Sequence, residues 1–188
     1  MALPIPLDSR NSKSTPIAAK NNYLSFIVYD LCAYLRRQKK VMNIEIRAAT
    51  QADTTAIWQL VRELAIYELS PESHTATPED YARDMEAGNF EAHVAIADGE
   101  VVGMILYHIA YSTWRGRMLY LEDFVVRDTM RGQGIGKLLF DKFLEIAEQK
   151  DCKLTKWQVL DWNEPAVNFY EKYNAIIEKE WWNGKLFV

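Results

Sequence analysis

Between residues 51 and 66 the apolar positions Ile57, Leu60, Val61, Leu64 and Ala65 recur every three or four residues, which draws one stripe along a helix. Ahead of it, Thr50-Gln51-Ala52-Asp53 sets an N-cap hydroxyl three residues before an acid, a capping-box pattern. Thr77-Pro78-Glu79-Asp80 is a stronger start signal, a cap followed by proline at the first helical position, and predicts a helix over 78–86. Strand patterns flank and follow these helices. Ile44–Arg47 is a short strand candidate, and His93–Ala97 and Val101–Tyr111 flank Asp98-Gly99-Glu100, a hairpin cue. Met118–Val126 follows through the Arg115-Gly116-Arg117 turn. Helical spacing returns in Leu138, Leu139, Phe143, Leu144 and Ala147, so Ile135–Glu148 is read as a helix opening out of a glycine cluster. Leu154–Leu160 reads as a strand, Pro165–Tyr173 as a helix, and Ile176–Glu180 and Lys185–Val188 as final strands around Asn183-Gly184. The order predicts one mixed α/β domain with no repeat and no internal linker.

Upstream lies a different kind of sequence. Residues 1–22, with Pro4, Pro6 and Pro16 among Ser, Asn and Lys, read as unstructured. Leu24, Ile27, Val28, Leu31 and Leu35 then mark a helical stripe within Tyr23–Lys40 that ends in basic residues. Asp30 breaks its apolar run, which is too short to span a bilayer, and the basic cluster follows the run rather than preceding it as in a secretory leader. Met42-Asn43-Ile44 opens the domain pattern, so the expected division is an appendage over 1–41 and a domain over 42–188, with Met42 a candidate start.

Charge sharpens that boundary. The chain of 188 residues carries a net −4, but residues 1–41 hold seven Lys and Arg against two Asp and Glu, and the remainder 15 against 24. A +5 segment therefore precedes a −9 domain. An acidic body does not grip nucleic acid through its phosphates and suits a cationic partner better. Two cysteines (Cys32, Cys152) and three scattered histidines make neither a disulfide framework nor a zinc site, so no metal is expected and a reducing, cytoplasmic setting is the default. No membrane partner is expected.

Three of eight glycines fall in Arg131-Gly132-Gln133-Gly134-Ile135-Gly136-Lys137. The spacing is neither the dinucleotide G-x-G-x-x-G nor a Walker loop, since only three residues separate Gly132 from Gly136 and Leu138 follows Lys137. What remains is a glycine turn at a helix N-terminus. Free backbone N–H groups, the helix dipole, Arg131 and Lys137 suit such a turn to a pyrophosphate, while a plain tight strand–helix turn is the alternative.

Arg131-x-x-Gly134-x-Gly136 resembles the acetyl-CoA loop of the GCN5-related N-acetyltransferases (GNAT). Tyr120-Leu121-Glu122-Asp123-Phe124, Asp161-Trp162-Asn163-Glu164-Pro165, Asn168-Phe169-Tyr170 and Glu63-Leu64-Ala65-x-Tyr67-Glu68 extend the resemblance to the diamine acetyltransferase branch over about residues 43–188. It implies a GNAT fold with a mostly antiparallel sheet of six to seven strands and about four helices, commonly as a homodimer. It also implies acetyl-CoA as cosubstrate, its pantetheine arm along Phe124-Val125-Val126, its diphosphate on Arg131, Gly132, Gln133, Gly134, Ile135, Gly136 and Lys137, and Asn163 reaching the arm. An oxyanion contact from the backbone N–H of Phe124 or its neighbour belongs to the same implication.

In the roles the resemblance implies, Glu122 draws the proton off the substrate ammonium and Tyr170 protonates the departing thiolate. An alkylamine of pKa near ~10.4 must lose a proton before attack, and a phenol of pKa near ~10 still holds one to give. Regular strand alternation sends Glu122 and Asp123 to opposite faces, so at most one of them points into the site from a regular strand. Tyr67, Glu68, Asp123 and, more loosely, Trp181 or Trp182 match substrate-side positions. The spermidine/spermine enzymes carry an aspartate in the place of Ser112, which makes a lysine-like amine or short diamine the expected substrate, acetylated directly in a ternary complex. A protein lysine or N-terminal acetyltransferase and a non-catalytic acetyl-CoA-binding regulator are the rival readings.

Overall fold

Five strands and four helices build the structure, a computed structural model that describes residues 43–187. The appendage expected over 1–41, with its helix, lies outside the described residues. Strand β1 (Ile44–Ala48) leads into a 3-10 turn (Gln51–Asp53) and helix α1 (Thr54–Tyr67). The Asp53 carboxylate accepts from the Thr50 N–H at 2.7 Å and hydroxyl at 2.9 Å, and it takes a bidentate pair from Arg47 at 2.8 and 2.9 Å. Those bonds hold its pKa down to about 2 and join β1 to the start of α1. Helix α2 (Pro78–Glu86) starts at its predicted cap, where the Thr77 hydroxyl accepts from the Asp80 N–H at 3.2 Å.

Strands β2 (Glu91–Ala97), β3 (Glu100–Ser112) and β4 (Gly116–Val126) form an antiparallel meander, and β1 pairs with β2 on the outer edge. The predicted Asp98-Gly99 turn is present, both residues having positive φ of 50° and 86°. Beyond the glycine loop come α3 (Ile135–Gln149), β5 (Leu154–Lys156) and α4 (Glu164–Glu171).

Two apolar layers enclose the sheet. On one face Ile57, Leu60 and Val61 of α1 pack on Val94, Met104, Leu106 and Val125. On the other, Phe140 of α3 gathers Phe124, Phe143, Trp157, Phe169, Tyr170 and Tyr173 at ring distances of 4.7 to 6.0 Å. Burying each such ring is worth roughly 1.5–3 kcal/mol, so this cluster fixes α4 against α3. At Gly103 a Cβ would meet the Val125 carbonyl oxygen at 3.0 Å and a Leu139 methyl at 3.3 Å. Glycine lets the hairpin and α3 close to that distance.

The sheet is smaller than expected. Only Leu154–Lys156 of the predicted strand 154–160 pairs, in parallel, with Met118–Tyr120, and 176–180 and 185–187 form no strand. The five strands observed among the described residues replace the six to seven expected. A strand needs a paired neighbour and a buried face, and Ile176, Leu186 and Phe187 have neither, being 88%, 89% and 93% exposed.

Candidate active site

The early departure of β5 creates the site. From Leu121 to Val126 no described strand pairs with β4 on the side away from β3, so a row of backbone groups stays open along Phe124, Val125 and Val126. Those three residues form one wall of a cleft of about 710 Å³, whose floor and far wall are Arg131, Gly132, Gly134, Ile135, Gly136, Lys137, Asn163 and Tyr170. Gln133 lies on the outer side of the loop and does not line the cleft.

The loop is shaped by backbone demands. After a 3-10 turn (Asp128–Met130), Gly132 and Gly134 take positive φ of 73° and 84°, values that strain any other residue, and Gly134 caps α3. The N–H groups of Ile135, Gly136 and Lys137 begin the helix with no preceding turn to bond to. Lys137 stands exposed in that turn beside Asp141. This cradle of aligned N–H groups and a cation, opening onto an unpaired strand edge, fits a diphosphate followed by an amide-bearing arm.

Asn163 caps α4, its Oδ1 accepting from the Ala166 N–H at 3.3 Å and from the Tyr67 hydroxyl at 3.2 Å. Tyr170, about two helical turns further on, is buried against Trp157 with ring centroids 4.6 Å apart. Burial pushes its hydroxyl well above the ordinary range, so the phenol keeps its proton.

The acidic side is built by a β-bulge. Leu106 pairs with Asp123 and Tyr107 with Leu121, which leaves Glu122 as an extra residue in β4. The regular alternation expected from the sequence is therefore broken at the two carboxylates. Asp123 is half-buried while Glu122 is exposed. Burial first, then the charges of Glu122 and Glu68, push the Asp123 carboxyl up to about 7. Burial also raises Glu68, with Lys185 acting against it. Glu122 was the residue expected to take a proton; the group held near neutrality is its neighbour.

Other expected residues fall elsewhere. Tyr67 lines the cleft, whereas Glu68, Glu122 and Asp123 do not, and the Arg131 guanidinium lies 4.9 Å above the Tyr67 ring. Trp181 and Trp182 are 69% and 95% exposed and do not line the cleft. The Ser112 hydroxyl oxygen accepts from the Trp114 and Arg115 N–H groups at 3.3 and 3.2 Å, holding the hairpin tip. Sequence reasoning missed Tyr81, whose hydroxyl is raised by burial and by Asp123 and Glu122. No local signal marks it, because α2 brings it to the acidic side only by packing on the sheet.

Comparison with known proteins gives this geometry a context. The acetyltransferase (GNAT) family matches residues 54–175. A thialysine N-epsilon-acetyltransferase of Sus scrofa is 36% identical over 157 residues, covering 77% of this chain and 92% of that protein. The spermidine/spermine N(1)-acetyltransferase-like protein 1 of Homo sapiens is 31% identical over 149 residues, covering 74% of this chain and 21% of that larger protein. Among solved structures, an aminoglycoside acetyltransferase from an uncultured soil metagenomic sample superposes with a TM-score of 0.66 at 18% identity, covering 77% of this chain and 96% of that one. At that identity the likeness speaks for the fold alone.

Proposed function

The chain belongs to the acetyltransferase (GNAT) family, in the branch of the thialysine and spermidine/spermine-type N-acetyltransferases, and on that premise we propose that it acetylates the primary amine of a lysine-like substrate or short diamine. Its cosubstrate is acetyl-CoA, as for the family. In this reading the glycine loop and Lys137 hold the diphosphate, the open edge of β4 aligns the pantetheine arm, and Asn163 meets that arm from the N-terminus of α4.

Asp123 then accepts the ammonium proton, with Glu122 and Glu68 supplying the negative field that holds a cation beside it. A carboxyl near 7 is ionised often enough at neutral pH to take a proton and basic enough to keep it briefly. Once neutral, the amine attacks the thioester carbonyl, whose developing oxyanion faces the backbone N–H groups around Phe124. As the C–S bond breaks, Tyr170 gives its proton to the thiolate, the now cationic nitrogen releases its extra proton to solvent to leave the neutral amide, and the tyrosinate is reprotonated from solvent. The observation that carries this reading is the meeting, on one strand, of an open backbone edge and, at a bulge, two adjacent carboxylates of which Asp123 is half-buried. The loss of a carboxylate at Ser112, whose hydroxyl is engaged in the hairpin, favours one terminal ammonium over a long polyamine.

The test is release of free CoA thiol from acetyl-CoA across a panel of thialysine, lysine, spermidine and a lysine-bearing peptide. Thialysine is expected to give the highest kcat/KM. Absence of turnover with every amine overturns the enzymatic reading, and a strong spermidine preference overturns the substrate class.

A further inference from the structure

Tyr67 occupies an unusual place between the two halves of the site. Its hydroxyl donates to Asn163 Oδ1 at 3.2 Å, the same oxygen that accepts from the Ala166 N–H and so caps α4. Its ring lies under the Arg131 guanidinium at 4.9 Å and 5.7 Å from the Trp162 ring. Arg131 is itself held, Nε donating to the Val126 carbonyl at 3.1 Å and Nη1 lying 3.4 Å from Asp128. One side chain thus joins α1 to the glycine loop, to the last residue of β4 and to the turn before α4.

The next residue in the chain is Glu68, on the acidic side. The backbone that carries both is held at the end of α1: the Glu68 N–H bonds the Leu64 carbonyl at 2.9 Å, the Ser70 N–H bonds the Ala65 carbonyl at 2.9 Å, and Leu69 takes a φ of 57°. Both side chains thus spring from one closed helix end.

We propose that Tyr67 is a positioning residue that couples the two halves: a diphosphate on the glycine loop fixes Arg131 and through it the Tyr67 ring, which sets Glu68 for the ammonium. The proposal rests on the assignment of those two sites above. Each ligand tightens the other, and by linkage the factor is the same in both directions.

The experiment is a binding cycle with CoA and thialysine as probes, each titrated by calorimetry with and without saturating amounts of the other. For the unmodified protein the mutual tightening is expected to be about tenfold. Tyr67→Phe loses the bond to Asn163 but keeps the ring under Arg131, and should retain roughly threefold. Tyr67→Leu should bring the factor to about one, whatever its cost to the affinity for CoA alone. A merely structural role would weaken each ligand alone and leave the ratio intact. Independent binding in the unmodified protein, or a ratio preserved in both variants, overturns the coupling and leaves the acetyltransferase reading standing. Failure of CoA to bind at all sinks both.

Discussion

The cofactor cleft and the acidic group next to it in the chain are made in opposite ways. The cofactor side comes mostly from one stretch, Phe124 to Lys137, with Asn163 and Tyr170 closing it, and works largely through backbone groups: an open strand edge, two glycines at positive φ and the first turn of α3. The acidic side comes from α1, α2 and the middle of β4, and works through side chains whose properties exist only once those elements pack. Asp123 sits near 7 because burial, the adjacent Glu122 and the distant-in-sequence Glu68 act on it together. Local construction yields a motif that survives as a string of letters. Assembled construction yields a tuned group with no motif of its own.

If the sides are as separable as that contrast implies, Tyr170→Phe should produce the largest effect on turnover, a loss of roughly 10²–10³ in kcat with CoA affinity little changed. Single-turnover kinetics beside CoA titration would show it, and near-normal kcat would remove Tyr170 from the proton path. Asp123→Asn should lower kcat/KM by about 10² and abolish an acid limb near pH 7, since the parent loses its proton acceptor as pH falls through that value. The same substitution tests the sign of the linkage. A carboxyl near ~3.9 when unfolded and near 7 when folded binds its extra proton in the folded state, so stability falls as pH rises between those values. Asparagine should therefore raise Tm most above pH 7, a gain in stability alongside the loss of activity. Gly134→Val should be the mildest, weakening CoA about tenfold and costing about 1–2 kcal/mol through its positive φ, while the acid limb stays where it is.

The same contrast governs what could be read in advance. The helix cap at Thr77, the Asp98-Gly99 hairpin and the glycine loop were legible because each depends on neighbours within a few residues, whereas Thr50 opens a 3-10 turn and Asp53 stands at the N-cap of α1. The terminal strands were not. Ile176–Glu180 has the letters of a strand, but pairing needs a partner edge, and β4 accepts β5 for only three residues. The bulge was equally hidden, since nothing at Glu122-Asp123 marks it; it arises from the register that Tyr107 and Leu106 impose across the ladder. Tyr67 was legible as a site residue, yet its reach to Arg131 and Asn163 depends on how α1 leans over the cleft.

The bulge has one more consequence, for how such a strand can change over generations. Glu122 is a supernumerary letter: with Leu121 already opposite Tyr107 and Asp123 already opposite Leu106, excising it would leave every other rung of the β3–β4 ladder matched. What excision would change is the direction of the strand, because a bulge bends β4 and adds local twist just where its far edge turns from β5 to the open cleft. A substitution at Glu122 keeps that bend and alters only the side chain, so the identity of the residue and its presence answer to different demands, one chemical and one geometric.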